Sequence, residues 1–312
     1  MNETSVLFRA HFKKWVKTYK APSVQPITLE KYIRASRALD AICPDLKVSE
    51  LTRGTYQGIL NEYAKTHEKV TVIDFHHQIK GCIKDMFYDG LIDKDPTYKA
   101  VLSGSPHKER KSKFLQVDEL RRLLSVLELG DTPGRDWMIL LAAKTGARYA
   151  ELLGLTPDDF RWETNEMTID KTWDYKGSGG FRRTKTDSSV RTIAIDWQIS
   201  GQFRPVIQDL PPHEPIFVPK NPDGTYKRIF NSTFNDHLER RCKLAGVTVI
   251  SHHSLRHTHA SVLLASSVSI NSISKRLGHA ATNVTQNVYS HLLDKLEEKD
   301  NQNMRGVMAQ ML

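Results

Sequence analysis

The chain has 312 residues and a formal net charge of +9 at pH 7. This length is sufficient for two domains that each bury a core of their own. The excess of positive charge favours a polyanionic partner, for which nucleic acid is the first candidate, although an anionic membrane surface would attract the same charge. The three cysteines are widely spaced and odd in number, which excludes a disulfide framework and a cysteine-rich zinc site.

The sequence indicates neither secretion nor membrane insertion. Its N-terminus contains the charged residues Glu3 and Arg9 and no apolar run of signal-peptide length. No later window is long and apolar enough to span a bilayer. We therefore expect a soluble protein of the reducing cytoplasm.

The first third of the chain contains a series of helical patterns. Apolar residues recur at steps of three and four over residues 7–19, with lysines between them, which predicts an amphipathic helix with a basic face. Further helices are predicted at residues 28–39, with Thr28 as the N-cap, at 56–63, and at 72–87, closed by Gly90. Residues 1–102 are therefore predicted to form one all-helical domain.

A basic segment without apolar periodicity follows, over residues 103–113. It contains Gly104 and Pro106, and its basic cluster consists of Lys108, Arg110, Lys111 and Lys113. This composition predicts a linker between two domains. A solvated, flexible linker and a basic strap that crosses a DNA backbone are both compatible with it.

Residues 114–312 are predicted to form a mainly α domain with a small β-sheet. Helices are predicted at 117–127, 136–143, 232–244, 253–265, 270–277 and 282–296, and strands at 167–173 and 190–195. The segment between the strands combines three glycines with the basic residues Lys176, Arg182, Arg183 and Lys185, which predicts a mobile, positively charged β-hairpin or loop. The tail after residue 294 could pack on its own domain or on a neighbouring protomer.

Four segments of this second domain contain the residue types that can break a phosphodiester. They are TGARYAELLGL (145–155), RRTKTDSSVRTI (182–193), HSLRHTHAS (253–261) and LGHAATNVTQNVYSHL (277–292). Such a reaction needs a nucleophile, cations that stabilise the phosphorane-like charge, and an acid for the leaving oxygen. Arginine suits the second task, because its planar fork matches phosphate oxygens and keeps its charge.

The order of these segments resembles the catalytic domain of tyrosine recombinases and of phage and transposon integrases. The shared pattern is an arginine within TGxRxxELLGL, then HxLRHT, then LGH, and a tyrosine ten residues after that histidine. The match covers the second half to two-thirds of the chain, and the helical N-terminal part resembles the core-binding domain of the same enzymes. The resemblance implies an all-helical, SAM-like core-binding domain followed by an α+β catalytic domain.

The resemblance also implies roles for the residues that match the pattern. Arg148 and Arg256 would hold the non-bridging oxygens of the scissile phosphate. His253 would take part in acid/base catalysis at the nucleophile, and the HxLR spacing favours it over His252. His279 would donate a hydrogen bond to the phosphate.

Three further roles follow from the same match. Tyr289 would be the nucleophile and form a 3′-phosphotyrosine intermediate with DNA. Lys185 would protonate the leaving 5′ oxygen, although nearby basic residues could exchange roles with it and all could simply contact phosphates. Glu151 would orient the site. The predicted DNA-binding residues are Lys108, Arg110, Lys111, Lys113, Arg182 and Arg183.

The implied reaction stores bond energy in the phosphotyrosine, so that it needs neither ATP nor metal and no cofactor is expected. The implied partners are duplex DNA recombination sites, a homotetramer assembled on two sites, and an accessory DNA-bending or directionality factor. The protein would integrate or excise a mobile element such as a phage, in the nucleoid. Because the helical pattern begins close to Met1, an arm-binding domain of the kind found in many phage integrases is expected to be missing.

Alternatives remain open at this stage. The histidines His252, His253, His257 and His259 could suggest a metal site, but no glutamate completes an H-E-x-x-H pattern and Arg256 among them would repel a cation. Each catalytic candidate taken alone also fits an ordinary structural role. At the level of function, the alternatives are a type IB topoisomerase-like enzyme and a non-catalytic DNA-binding protein of the same fold.

Overall fold

The computed structural model describes residues 5–106, 114–184 and 186–282, together with residue 286. The chain divides into two compact units, Met1–Arg110 and Lys111–Leu312, which are described separately below. Within the described residues, no helix combines the length and the apolar character that a bilayer crossing requires. The assignment of the units to a core-binding and a catalytic domain stays a prediction.

The described part of the first unit is all-helical. Its helices are α1 (Phe8–Trp15), continued by a π-helical turn over Val16–Lys20, α2 (Pro26–Ile42), α3 (Arg53–Ala64) and α4 (Lys69–Tyr88). The apolar face of α1 buries Phe8, Phe12 and Trp15 in the core of the unit. The predicted basic face is partly used inside the unit, because Lys13 forms an ion pair with Asp40 at 2.8 Å.

The predicted N-cap of α2 was wrong. The helix begins at Pro26, after Gln25, and Thr28 lies inside its first turn. Proline fits the first helical position because its φ is already helical and its missing N–H would have no partner there. Helix α3 begins after Thr52, whose hydroxyl accepts a hydrogen bond from the Thr55 amide at 3.2 Å.

The second unit is mainly helical with a small β component, which confirms the predicted fold class. Its described helices are α5 (Val117–Ser125), α6 (Arg135–Thr145), α7 (Tyr149–Leu153), α8 (Trp197–Ile207), α9 (Asn231–Leu244), α10 (His252–Ala265) and α11 (Ile270–Leu277). Its strands are β1 (Phe160–Arg161), β2 (Glu166–Ile169), β3 (Lys171–Trp173), β4 (Phe181–Arg183) and β5 (Arg191–Ala194). Nearly all of the helix predicted at 282–296 lies outside the described residues.

The strand predicted at 167–173 is two strands in two different sheets. Strands β1, β2 and β5 form an antiparallel sheet in which Ile169 pairs with Arg191, whereas β3 and β4 form a separate hairpin in which Trp173 pairs with Phe181. Its turn contains Gly179 and Gly180, both with positive φ. The predicted hairpin is therefore present, but the chain changes sheets after Ile169.

Helix α8 is absent from the sequence prediction. Gly201 and Pro205 lie inside it and weaken its helical pattern. Its start is nevertheless well defined, because the Asp196 carboxylate accepts hydrogen bonds from the amides of Gln198 and Ile199, each at 3.0 Å.

Helices α6 and α10 pack against each other in the second unit. Helix α6 is buried on almost every side and ends at Gly146, whose φ of +68° is left-handed. A Cβ atom at Gly146 would lie 2.7 Å from Leu277 Cδ2 and 2.9 Å from His259 Cδ2. This turn therefore needs glycine both for its backbone conformation and for its space.

Replacing Gly146 by alanine is expected to lower the free energy of unfolding by about 2–4 kcal/mol, because left-handed strain adds to overpacking. Urea denaturation would measure the change. Gly201→Ala in α8 is the matched control, since a Cβ there meets no atom within 4 Å and alanine favours a helix. A Gly146→Ala protein as stable as the wild type would contradict the tightness of this turn.

Candidate active site

Arg148 lies directly after the Gly146 turn and caps the N-terminus of α7. Its backbone N–H donates to Glu151 Oε2 at 2.8 Å, and its Nη1 donates to Glu151 Oε1 at 2.6 Å. The Arg148 side chain is 38% exposed, whereas that of Glu151 is 2% exposed. A buried carboxylate thus holds a guanidinium that reaches the surface.

A second arginine, Arg191 on β5, shares the same carboxylate. Its Nη2 donates to Glu151 Oε2 at 2.9 Å and its Nη1 donates to Glu151 Oε1 at 3.3 Å. Burial alone would raise the pKa of Glu151, but the hydrogen bonds and charges of Arg191 and Arg148 outweigh it and lower the pKa to about 2. Glu151 is therefore ionised throughout the physiological range.

Arg191 is absent from the residues predicted from sequence. Along β5, the side chains of Arg191 and Ile193 are buried and those between and after them are exposed. This alternation was the sequence signal that could have identified Arg191, because it places the Arg191 guanidinium on the same face of the strand as Ile193. A charge at a core position calls for a buried partner of opposite charge.

Arg256 lies in α10 and is 3% exposed. Its Nη1 donates to the carbonyl oxygen of Gly146 at 2.7 Å, and its Nη2 donates to the carbonyl oxygen of Leu277. Both acceptors stand at C-terminal ends of helices, where carbonyl groups lack partners within the helix. The Arg256 guanidinium therefore connects the end of α6 to the end of α11.

His279 follows the end of α11 at Gly278, which has a φ of +66°. The His279 amide donates back to the Ser274 carbonyl at 3.1 Å, and Arg148 Nη2 approaches the Gly278 carbonyl at 3.4 Å. Burial and the charges of Arg256 and Arg148 lower the pKa of His279 to about 4. His279 is therefore neutral at pH 7 beside the two arginines.

The adjacent histidines His252 and His253 have different surroundings. His252 is 4% exposed and its ring lies 5.3 Å from the ring of Phe234 and 5.6 Å from that of Tyr149. His253 is exposed, and partial desolvation together with the charges of Arg256 and Arg148 lowers its pKa. Both histidines are thus close enough to Arg256 for its charge to lower their pKa, but His252 is buried among aromatic rings and His253 is exposed.

The histidine cluster does not form a metal site within the described residues. His259 donates through Nδ1 to the Ala143 carbonyl at 2.9 Å and accepts at Nε2 from Arg276 Nε at 3.0 Å, so that both of its ring nitrogens are engaged. Among the residues that the structure describes, no group of three or more histidine, cysteine or acidic side chains could hold a metal ion.

The remaining predicted residues lie elsewhere. Arg182 and Arg183 are on β4, where Arg183 is exposed and Arg182 forms an ion pair with Asp174 at 2.6 Å. Six predicted residues lie outside the described residues, namely Lys108, Arg110, Lys111, Lys113, Lys185 and Tyr289. Arg148, Glu151, His253, Arg256 and His279 are the ones that the structure brings together.

Lowering the pH from 7.5 to 5 is expected to destabilise the second unit. Burial lowers the pKa of His252 and His259 to about 3. Unfolded histidines titrate near 6.5, so below that pH the unfolded chain binds protons that the folded chain does not. The loss is about 2 kcal/mol for each of these histidines at pH 5, and it is absent above pH 7.

Urea denaturation at pH 7.5, 6 and 5 would measure this loss. Replacing His252 by phenylalanine, which suits the aromatic surroundings, should reduce the pH dependence, while His213→Gln at an exposed position should leave it unchanged. An equal pH dependence in all three proteins would contradict the assignment of neutral, buried histidines.

Comparisons with known proteins identify the family of this chain. The sequence model of the phage integrase family matches residues 113–295, more than half of the chain. The tyrosine recombinase XerC-like protein of Caldanaerobacter subterraneus subsp. tengcongensis is 23% identical over 94% of this chain and 75% of its own length. The tyrosine recombinase XerC of Psychromonas ingrahamii is 30% identical over 66% of each chain, and the integrase of Staphylococcus phage L54a is 29% identical over 53% of this chain and half of its own length.

Solved structures share the fold. The Tn1549 transposon integrase in complex with transposon right end DNA matches with a TM-score of 0.73 at 18% identity, covering 91% of this chain and 95% of that one. A lambda integrase tetramer bound to a Holliday junction matches with a TM-score of 0.62 at 16% identity, covering 90% of this chain and 76% of that one.

These findings confirm the resemblance seen in the sequence. The protein is a DNA strand-transfer enzyme of the tyrosine type, a site-specific recombinase. The chain belongs to the phage integrase family. The alternatives of a topoisomerase-like enzyme and of a non-catalytic DNA-binding protein are not favoured.

Proposed function

We propose that this recombinase cuts duplex DNA by attack of the Tyr289 hydroxyl on a phosphodiester that Arg148 and Arg256 hold. The observation that carries the proposal is the joint anchoring of the two arginines. Arg256 donates to the carbonyl oxygens of Gly146 and Leu277, which lie in the turns that end α6 and α11. Arg148 follows the first of these turns, and its Nη2 donates to the Gly278 carbonyl in the second. Fixed guanidiniums of this kind suit the charge of a phosphoryl transition state.

The two histidines would supply the proton chemistry on the nucleophile side. Because the pKa of His253 is lowered, the ring is neutral at pH 7 and can accept the proton of Tyr289 as the tyrosine oxygen bonds to phosphorus. His279, also neutral, can donate one hydrogen bond to a non-bridging oxygen. Neither task requires an imidazolium in the resting enzyme.

The bond from phosphorus to the 5′ oxygen breaks in the same step, and Lys185 would protonate that oxygen. The product is a 3′-phosphotyrosine and a free 5′ hydroxyl. Attack by a 5′ hydroxyl of the exchanged strand reverses the step and releases Tyr289. The number of phosphodiester bonds is conserved, and the proposal gives no step to a metal ion, so cleavage is expected to proceed in the presence of a chelator.

The proposal extends to partners. Four protomers would assemble on two DNA sites, by analogy with the lambda integrase tetramer that was solved on a Holliday junction. The basic linker residues and exposed Arg183 would contact phosphates, and Arg182 would first have to leave Asp174. An accessory DNA-bending or directionality factor would decide between integration and excision of a mobile element. The reaction would take place in the cytoplasm, at the nucleoid.

The experiment that tests the proposal traps the intermediate. The protein is incubated, in the presence of a chelator, with candidate site DNA that carries a bridging 5′-phosphorothiolate. Cleavage of this DNA releases a thiol, and this leaving group cannot efficiently reverse the step. A denaturing gel should show a protease-sensitive protein–DNA adduct, and mass spectrometry of the digested adduct should locate the nucleotide on Tyr289. DNA that is bound without forming this adduct would refute the proposed chemistry.

A further inference from the structure

Arg191 is the most deeply buried basic group in contact with Glu151, with a side chain that is 5% exposed. Besides its two bonds to Glu151, it donates through Nε to the Arg276 carbonyl at 2.7 Å and through Nη1 to the Ser189 carbonyl at 2.9 Å. Four of its five N–H groups thus donate to acceptors of the protein itself.

Each of these partners leads to a different group of the proposed reaction. Glu151 holds the Arg148 guanidinium. The Arg276 carbonyl stands in the last turn of α11, three residues before His279. Ser189 ends the short 3-10 turn that follows the β3–β4 hairpin segment. The Arg191 guanidinium therefore connects three places: the carboxylate that holds Arg148, the turn before His279, and the end of the segment that contains Lys185.

The turn at Gly278 packs directly on this group. A Cβ atom at Gly278 would lie 3.0 Å from Arg191 Nη1 and 3.1 Å from both Ser188 O and Ser189 Cα. The left-handed φ of Gly278 adds to this restriction. A shift of Arg191 would therefore displace the start of the segment that contains His279.

We propose that Arg191 is a positioning residue for DNA strand cleavage, which fixes Arg148, the turn before His279 and the end of the hairpin segment relative to one another. This inference rests on the proposed function. An arginine suits the task because its planar fork directs four of its five N–H groups to these acceptors, whereas a lysine has one nitrogen to share among them.

The test compares Arg191→Met and Arg191→Lys with Arg241→Met. Arg241 is a matched control, because it is also largely buried and also bonded to carboxylates, those of Asp136 and Glu128, away from the site. DNA binding and the rate of trapped adduct formation are measured at a temperature at which circular dichroism shows each protein to be folded. Both quantities then refer to folded protein.

We expect Arg191→Met to bind DNA within a few-fold of the wild type and to form the adduct about 100-fold more slowly, because small displacements of reacting groups cost about that much. Arg191→Lys should be intermediate. Arg241→Met should lose stability and keep the wild-type rate. Equal rates for Arg191→Met and the wild type, or equal losses for Arg191→Met and Arg241→Met, would overturn the proposal.

The pH profile separates positioning from general loosening of the fold. Without Arg191, burial should raise the pKa of Glu151, so cleavage by Arg191→Met should fall as the solution becomes acidic, over a range in which the wild-type rate is constant. The double variant Arg191→Met with Glu151→Gln should lack this acid dependence. A flat profile in Arg191→Met would overturn the proposal.

The double variant also keeps the test decisive if Arg191→Met does not fold, because it removes the unpaired buried carboxylate that would cause the failure. A folded double variant that cleaves at the wild-type rate would overturn the proposal. A wild-type protein that binds its DNA without forming an adduct would instead refute the proposed function, and the inference with it.

Discussion

Replacing Tyr289 by phenylalanine is expected to abolish the covalent protein–DNA adduct and to leave DNA binding within about twofold of the wild type. The change removes one oxygen atom, which is the atom proposed to bond to phosphorus. Removal of an enzyme's nucleophile typically lowers the rate by a factor on the order of 10⁶. A denaturing gel measures the adduct and a mobility shift measures binding, on the same DNA.

Tyr88→Phe is a suitable control, since Tyr88 is an exposed tyrosine of the first unit and has no role in the proposed chemistry. It should form the adduct at the wild-type rate. An adduct that persists in Tyr289→Phe would show that another side chain attacks the phosphate. Loss of DNA binding together with the adduct would show that the hydroxyl has a structural role.

Replacing Arg256 by lysine is expected to lower the rate of adduct formation by about 10²–10³ and the free energy of unfolding by about 1–3 kcal/mol. Arg256 donates to the Gly146 and Leu277 carbonyls from two different nitrogens. One ammonium group cannot span both acceptors, so that one helix-end carbonyl would lose its bond. The charge would also move away from the site.

Two measurements separate these effects, namely urea denaturation and single-turnover cleavage at saturating DNA. Arg122→Lys is the matched control, because exposed Arg122 also donates through Nη1 to a loop carbonyl, that of Gly246, at 3.2 Å. It should change neither quantity by much. Normal cleavage by Arg256→Lys would contradict the role of the guanidinium fork.

The sequence predicted those features that depend on local periodicity and on motif order. The apolar steps of α1 and the bounds of α11 follow from the side chains themselves. The LGH and HxLRHT motifs led to His279, His253 and Arg256 as candidates without any knowledge of the fold. The helical character of the first unit and the small sheet of the second were predicted for the same reason. Helix starts were less certain, because Pro26 and Thr28 are both acceptable near an N-terminus.

The sequence could not predict features that depend on tertiary contacts. The change of sheets after Ile169 is set by pairing with Arg191, which is distant in the chain. The anchoring of Arg256 uses main-chain carbonyls of Gly146 and Leu277, and carbonyls leave no trace in side-chain patterns. Likewise, the support of Arg148 by Arg191 passes through a shared carboxylate, and only the fold brings these residues together.

The sharing of Glu151 by two arginines has an electrostatic consequence for the reaction. Arg148, Arg191 and Arg256 contribute three positive charges and Glu151 one negative charge, so these four groups sum to +2. A phosphodiester carries a single negative charge, and its pentacoordinate transition state carries about two. The charge of the group therefore complements the transition state better than the bound substrate, which is the condition under which binding energy accelerates a reaction.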